Sequence, residues 1–122
     1  QCHFYKVEVR MKPNGKEIEN RTVRSVLCVF SMHQYLVDFF FEKPNKVKIR
    51  FRPDEMRWRI QDMSSGEQVL VRVALDIWSG SGDAKIWELL EILDEGNFGA
   101  VLKALMLIKF DRTWPYDHGS SI

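Results

Sequence analysis

The sequence has few cysteines, no run of metal-binding residues and no long apolar stretch. Its two cysteines, Cys2 and Cys28, cannot form a disulfide framework, and no CxxC or Cys/His run has the spacing of a zinc site. No stretch reaches the roughly 18 consecutive apolar residues of a membrane span. Cys28 lies in an apolar run and is predicted to be a buried free thiol, which favours a reducing, cytoplasmic compartment.

Length and charge indicate one domain with two electrostatically different halves. A chain of 122 residues is the size of a single domain, and its 45% of hydrophobic residues can supply a core. Residues 1–60 contain thirteen Lys/Arg and seven Asp/Glu, whereas residues 61–122 contain five and ten, so the net charge of +1 combines +6 and −5. Such asymmetry is typical of a side that faces nucleic acid, or of two halves that neutralise each other.

Alternating apolar and polar residues predict four strands in the first half of the chain. Residues 3–11 alternate, a turn at Asn14-Gly15 follows, and residues 18–30 are predicted to return as the second strand. Residues 46–52 and 56–60 alternate in the same way on either side of a turn at residues 53–55. Two such hairpins predict a mainly antiparallel, four-stranded sheet.

Apolar residues at helical spacing predict four helices. Capping boxes mark the starts of two of them, at Ser31 and at Ser64 or Ser65, and the second precedes the apolar run 69–78. Asp83 is predicted to cap residues 84–93 and Asn97 to cap residues 98–110. The predicted order is ββαββααα, an α+β domain over residues 1–110 with helices on one face of the sheet. Residues 111–122 are predicted to form an extended or partly disordered tail.

The second predicted hairpin provides the first functional hypothesis. A period of two places six cations and no carboxylate on one face, and the apolar residues, Phe51 and Trp58 among them, on the other. A line of cations can follow phosphates, so we expect a small non-enzymatic binding or regulatory protein that contacts nucleic acid electrostatically. Alternatively, the cations keep an edge hairpin soluble. The candidate nucleic-acid-binding residues are Lys46, Lys48, Arg50, Arg52, Arg57 and Arg59.

The second hypothesis is a protein-interaction module: an adaptor, an inhibitor or an obligate homodimer. The predicted last helix is apolar almost all the way round, which is typical of a helix that is buried on all sides or meets a partner. Its candidate partner-binding residues are Val101, Leu105 and Ile108. On the preceding helix, Glu88 and Glu91 are candidate members of an acidic docking patch.

Two motifs resemble those of enzymes. Residues 63–68, MSSGEQ, resemble the signature motif of ABC-type ATPases, and residues 89–95, LLEILDE, resemble their Walker B strand. The resemblance would imply ATP hydrolysis, but the sequence contains no GxxxxGK[ST] loop to hold a triphosphate. Pro53-Asp54 and Asp83-x-Lys85 resemble a metal-dependent nuclease motif, but are predicted to lie in a turn and at a helix start. No catalytic residue, metal or cofactor is therefore predicted.

Overall fold

The part of the chain that the structure describes is helical. The computed structural model describes residues 17–42 and 48–110, and these contain no β-strand. The helices are α1 (Glu17–Val29), α2 (Gln34–Phe40), α3 (Pro53–Arg59), α4 (Ser65–Ser79), α5 (Ile86–Ile92) and α6 (Glu95–Phe110), with a 3-10 turn at Ile60–Asp62. The predicted α+β fold, with its antiparallel sheet and its order ββαββααα, is therefore wrong. The predicted strand 3–11, Lys46 and the tail 111–122 lie outside the described residues.

Helix α1 replaces the strand predicted over residues 18–30. Val23, Val26, Leu27 and Phe30 recur at steps of three and four, which places them on one face of a helix. All four are buried, as are Cys28 and Val29 between them. The continuous apolar run that suggested a strand buried on both faces thus belongs to a helix with neighbours on several sides.

Helix α3 replaces the second strand of the predicted basic hairpin. Pro53 occupies the first helical turn, where its missing N–H costs no hydrogen bond. Acidic residues fill the first turn and basic residues the last, which complements the helix dipole. Met56 and Ile60, four residues apart, are both buried. Met56 and Ile60 therefore share the buried face of a helix, and the alternation from which the strand was predicted does not produce a strand.

A short antiparallel bridge remains where the first strand of that hairpin was predicted. Phe41 and Ile49 form an isolated bridge. The Glu42 N–H donates to the Lys48 carbonyl at 2.9 Å, and the Arg50 N–H donates to the Phe40 carbonyl at 2.8 Å. The segment around Ile49 therefore pairs with the end of α2 rather than with residues 56–60.

The core is built around α1. This helix packs most extensively against α6 and next against α4, and α4 also contacts α5. Phe40 lies at the centre of an aromatic cluster, with ring centroids 5.5 Å from Phe30, 5.0 Å from Phe41 and 6.1 Å from Trp78. Cys28 is 1% exposed, as predicted, but it is disulfide-bonded, so the prediction that its thiol is free is wrong. Among the described residues, every helix is too short or too polar to span a bilayer.

The helix starts were predicted with mixed success. At α4 the Ser64 hydroxyl accepts from the Glu67 N–H and the Glu67 carboxylate accepts from the Ser64 N–H, which confirms a capping box. The box predicted at Ser31 is absent, because α2 begins at Gln34 without a side-chain cap. Helix α5 begins at Ile86, two residues after the predicted Ala84. At α6 the cap is Asp94 and not the predicted Asn97: the Asp94 carboxylate accepts the Asn97 N–H at 2.8 Å.

Candidate functional site

The cations predicted to share one sheet face are dispersed over a loop and a helix. Lys48, Arg50 and Arg52 lie in the extended segment before α3, whereas Arg57 and Arg59 lie on α3 itself. Lys46 lies outside the described residues. Because the segment at 48–52 and α3 do not form a hairpin, the expected line of cations is absent from this region.

Each of these five described cations has a partner within the chain. Lys48 pairs with Glu42 at 3.7 Å, Arg52 with Asp54 at 3.3 Å and Arg59 with Glu55 at 2.9 Å. Arg50 donates to the Asp38 carbonyl at 2.9 Å, and Arg57 donates to the Ser81 carbonyl. Carboxylates are therefore interspersed with the cations, and the expectation of a face without carboxylates is wrong.

The two predicted acidic docking residues have different environments. Glu91 is exposed on α5, but Glu88 is 9% exposed and turned towards α4. The Arg72 guanidinium donates to both Glu88 carboxylate oxygens, at 3.2 and 2.8 Å. The Lys85 N–H donates to the same carboxylate at 3.0 Å. Glu88 thus fixes the start of α5 against α4 and does not belong to an exposed patch.

Asp76 holds the connection between α4 and α5. Its carboxylate accepts the backbone N–H groups of Gly82, Asp83 and Ala84, at 2.8, 3.1 and 2.9 Å. Arg72 and Asp76 lie four residues apart on α4, but Arg72 bonds to Glu88 and Asp76 to this loop. Together they set the position of α5 relative to α4.

An apolar groove opens between α5 and α6. Its volume is about 390 Å³, and it is called the α5–α6 groove below. Three of its lining residues, Val73, Leu89 and Val101, are buried. The groove is lined by Val73, Asp76, Ile77, Ala84, Ile86, Leu89, Val101, Leu105 and Ile108.

The three predicted partner-binding residues of the last helix all line this groove. Val101 is fully buried and belongs to its floor, Leu105 is 41% exposed, and Ile108 is half-buried. Ile86, 71% exposed, faces them from α5. The groove is therefore solvent-accessible and lined mostly by large aliphatic side chains.

The exposed apolar surface continues beyond both edges of the groove. On α5 it includes Trp87 and Leu90, which are 57% and 63% exposed. On α6 it includes Leu102, which is 37% exposed. Successive residues are rotated by 100° about a helix axis. Going round α5 away from the groove, Ile86 comes first, then Leu90 and then Trp87. Going round α6 in the same sense, Leu105 comes before Leu102. The groove is thus flanked by an apolar strip on each helix.

A polar cluster lies where α2 and the first turns of α4 and α6 meet. The Tyr35 hydroxyl donates to the Glu67 carboxylate, and this bond raises the pKa of Tyr35 to about 12. The same bond, reinforced by the Ser64 N–H, holds the pKa of Glu67 below its ordinary value. His33 Nε2 lies 3.0 Å from Asn97 Oδ1. The cluster links three helices, and among the described residues no group of three His, Cys, Asp or Glu could hold a metal ion.

Comparison of the chain with family models, curated proteins and solved structures found no significant match.

The contribution of α5 to the groove was not predicted from the sequence. Ile86, Leu89, Leu90 and Leu93 recur at helical spacing in the sequence, but only Leu89 and Leu93 are buried. One available signal was that apolar residues occur next to each other in this helix, at Ile86–Trp87 and Leu89–Leu90. Adjacent residues point in different directions on a helix, so two such pairs cannot all be buried against one neighbour.

Proposed function

We propose that this protein is a small non-enzymatic protein-interaction module, and that the α5–α6 groove binds an amphipathic helix of a polypeptide partner. One observation carries the proposal: large aliphatic side chains from two helices converge on a solvent-accessible groove and remain exposed at its edges. Fully burying one such side chain contributes about 1.5–3 kcal/mol. A contiguous apolar surface of this kind is typical of an interaction site.

The shape of the groove determines which partner fits. Two helices form its walls, and recognition of a helix in such a groove uses apolar side chains at positions i, i+3 or i+4, and i+7. The one carboxylate in its lining, Asp76, already accepts three backbone N–H groups. An apolar helix face can therefore enter without leaving that carboxylate unpaired.

Selection from a displayed library of helical peptides would test the proposal. The full chain is the target, and its Leu105→Asp variant is the counter-target that removes binders to other surfaces. We expect enriched peptides with large apolar residues at the three anchor positions, and affinities at least about 30-fold weaker for the variant. Peptides that bind both proteins equally, or no enrichment on a chain that is monomeric in solution, would overturn the proposal.

Nucleic-acid binding is the less favoured candidate, because it was predicted from a basic sheet face. The described cations instead alternate with carboxylates and contact them or backbone carbonyls. A cytoplasmic location also stays a prediction.

A further inference from the structure

We infer that the partner that covers the α5–α6 groove is a second copy of this chain, bound about a two-fold axis so that α5 of each copy packs along the α6 edge of the other copy's groove. The inference rests on the proposed function, since it names the partner for the same groove. Two sets of observations on the described residues support it: the apolar surfaces beside the groove and the charges that border them.

The apolar surfaces are complementary within one chain. Trp87 and Leu90, three residues apart, form an exposed ridge on α5 that does not line the groove of its own copy. Leu102 and Leu105, also three residues apart, form an exposed margin on α6. In a two-fold dimer the same surface of each copy meets itself, so each contact occurs twice. The ridge of one copy can then cover the margin of the other, in both directions.

The charges that border these two surfaces have opposite signs. Glu91 follows Leu90 on α5 and is exposed. Lys109, four residues after Leu105 on α6, is also exposed. When α5 of one copy runs parallel to α6 of the other, with Trp87 on Leu102 and Leu90 on Leu105, Glu91 of one copy is brought towards Lys109 of the other. Two copies of this chain can therefore match both their apolar surfaces and their charges. A partner helix without an acidic residue beside its apolar face would match only the apolar surface.

Sedimentation velocity of the full chain would test this inference. From about 1 to 100 µM, a range that covers moderate self-association, we expect a dimer. Leu90→Asp and Leu105→Asp should each raise the dimer Kd by at least about 30-fold. Trp58→Asp is the matched control, because Trp58 is 69% exposed on α3 and lines neither surface. A monomer across the whole range, or equal weakening by the control, would overturn the inference.

A mixing experiment distinguishes this packing from a contact of α5 with α5. In a mixture of Leu90→Asp and Leu105→Asp chains, one of the two α5–α6 contacts is intact, so we expect a heterodimer tighter than either variant homodimer.

A charge swap tests the proposed contact between Glu91 and Lys109. Glu91→Lys should weaken the dimer, and adding Lys109→Glu should restore it. No gain on mixing, or no restoration, would overturn the proposed arrangement.

The peptide selection separates the two proposals. A monomeric wild type that still enriches groove-binding peptides would overturn only the second copy as occupant. A monomeric wild type that enriches none would overturn both.

Discussion

Among the residues that the structure describes, Glu88 is the buried carboxylate. Burial raises its pKa, but the hydrogen bonds from Arg72 and from the Lys85 N–H outweigh burial and hold the pKa below the ordinary value of 4.5. The Glu88 and Arg72 side chains are only 12% and 21% exposed. Neither charge is fully hydrated, so removing one leaves the other poorly compensated.

We expect Glu88→Gln to lower the free energy of unfolding by about 2–4 kcal/mol, because Arg72 loses its carboxylate partner. Asp38→Asn is the control, since Asp38 is an exposed carboxylate on α2 that lies outside the groove and its flanking strips, and its effect should stay within about 0.5 kcal/mol. Urea unfolding of both variants measures the difference. Similar midpoints for the two variants would contradict the structural role of Glu88.

The lowered pKa of Glu88 also predicts how this difference depends on pH. A carboxyl whose folded pKa lies below its unfolded value stabilises the fold above the unfolded value, and this contribution is lost as pH falls through the folded pKa. The advantage of the wild type over Glu88→Gln should therefore be constant above about pH 5 and shrink below 4.5. Thermal unfolding of both proteins from pH 7 to pH 3 checks this, and a gap that widens on acidification would contradict it.

At the scale of elements, the connection between α4 and α5 positions the groove. Gly80 ends α4 in the left-handed region with φ 71°, a conformation that glycine adopts without strain. Gly82 lies against α4, where a Cβ atom would come 1.8 Å from the Arg72 carbonyl oxygen. The loop approaches the helix closely enough for Asp76 to accept its N–H groups, and this approach requires glycine at position 82.

Gly82→Ala should therefore destabilise the protein by about 3 kcal/mol or more, because the atoms it contacts belong to a helix backbone that cannot move aside. Gly66→Ala is the matched control. Gly66 lies in the first turn of α4 with open space around it, so alanine there should be neutral or stabilise by up to about 1 kcal/mol. Thermal unfolding of both variants compares them, and equal losses would show that the loop tolerates a side chain.

At the scale of the whole molecule, α1 is surrounded by other elements while α5 is covered on one side. Helices α4 and α6 both pack on α1, which lets its apolar run be buried on several faces. Helix α5 is held to α4 by the Glu88–Arg72 pair, and its opposite side carries Ile86, Trp87 and Leu90 into solvent. The asymmetry between a central and a peripheral helix creates the candidate interaction surface.

The dispersed charges lead to a prediction about nucleic acid. Six cations that all contact phosphate would give a slope of roughly −4 to −5 for the logarithm of affinity against the logarithm of salt. Because the five described cations of the predicted hairpin each contact a carboxylate or a backbone carbonyl of the same chain, we expect a slope no steeper than about −2 for DNA or RNA. Filter binding of the full chain at several salt concentrations measures the slope. A slope of roughly −4 to −5 would contradict this prediction and favour the nucleic-acid hypothesis.

The sequence by itself determined the helices of the second half and the capping box at Ser64. The reason is local: the Ser64 hydroxyl and the Glu67 carboxylate satisfy N–H groups within one turn, whatever the rest of the chain does. The spacing of Val101, Leu105 and Ile108 likewise placed them on one side of α6. In the structure these three residues line the groove.

Only the tertiary structure decided the state of the first half and the identity of the exposed residues. The pattern over residues 18–30 fits a buried strand and a buried helix equally well, and the packing of α1 against α4 and α6 selects the helix. The Glu88–Arg72 pair joins residues 16 positions apart, and the groove requires α5 and α6 both to contact α4. These are contacts between elements, so no property of a single segment could predict them.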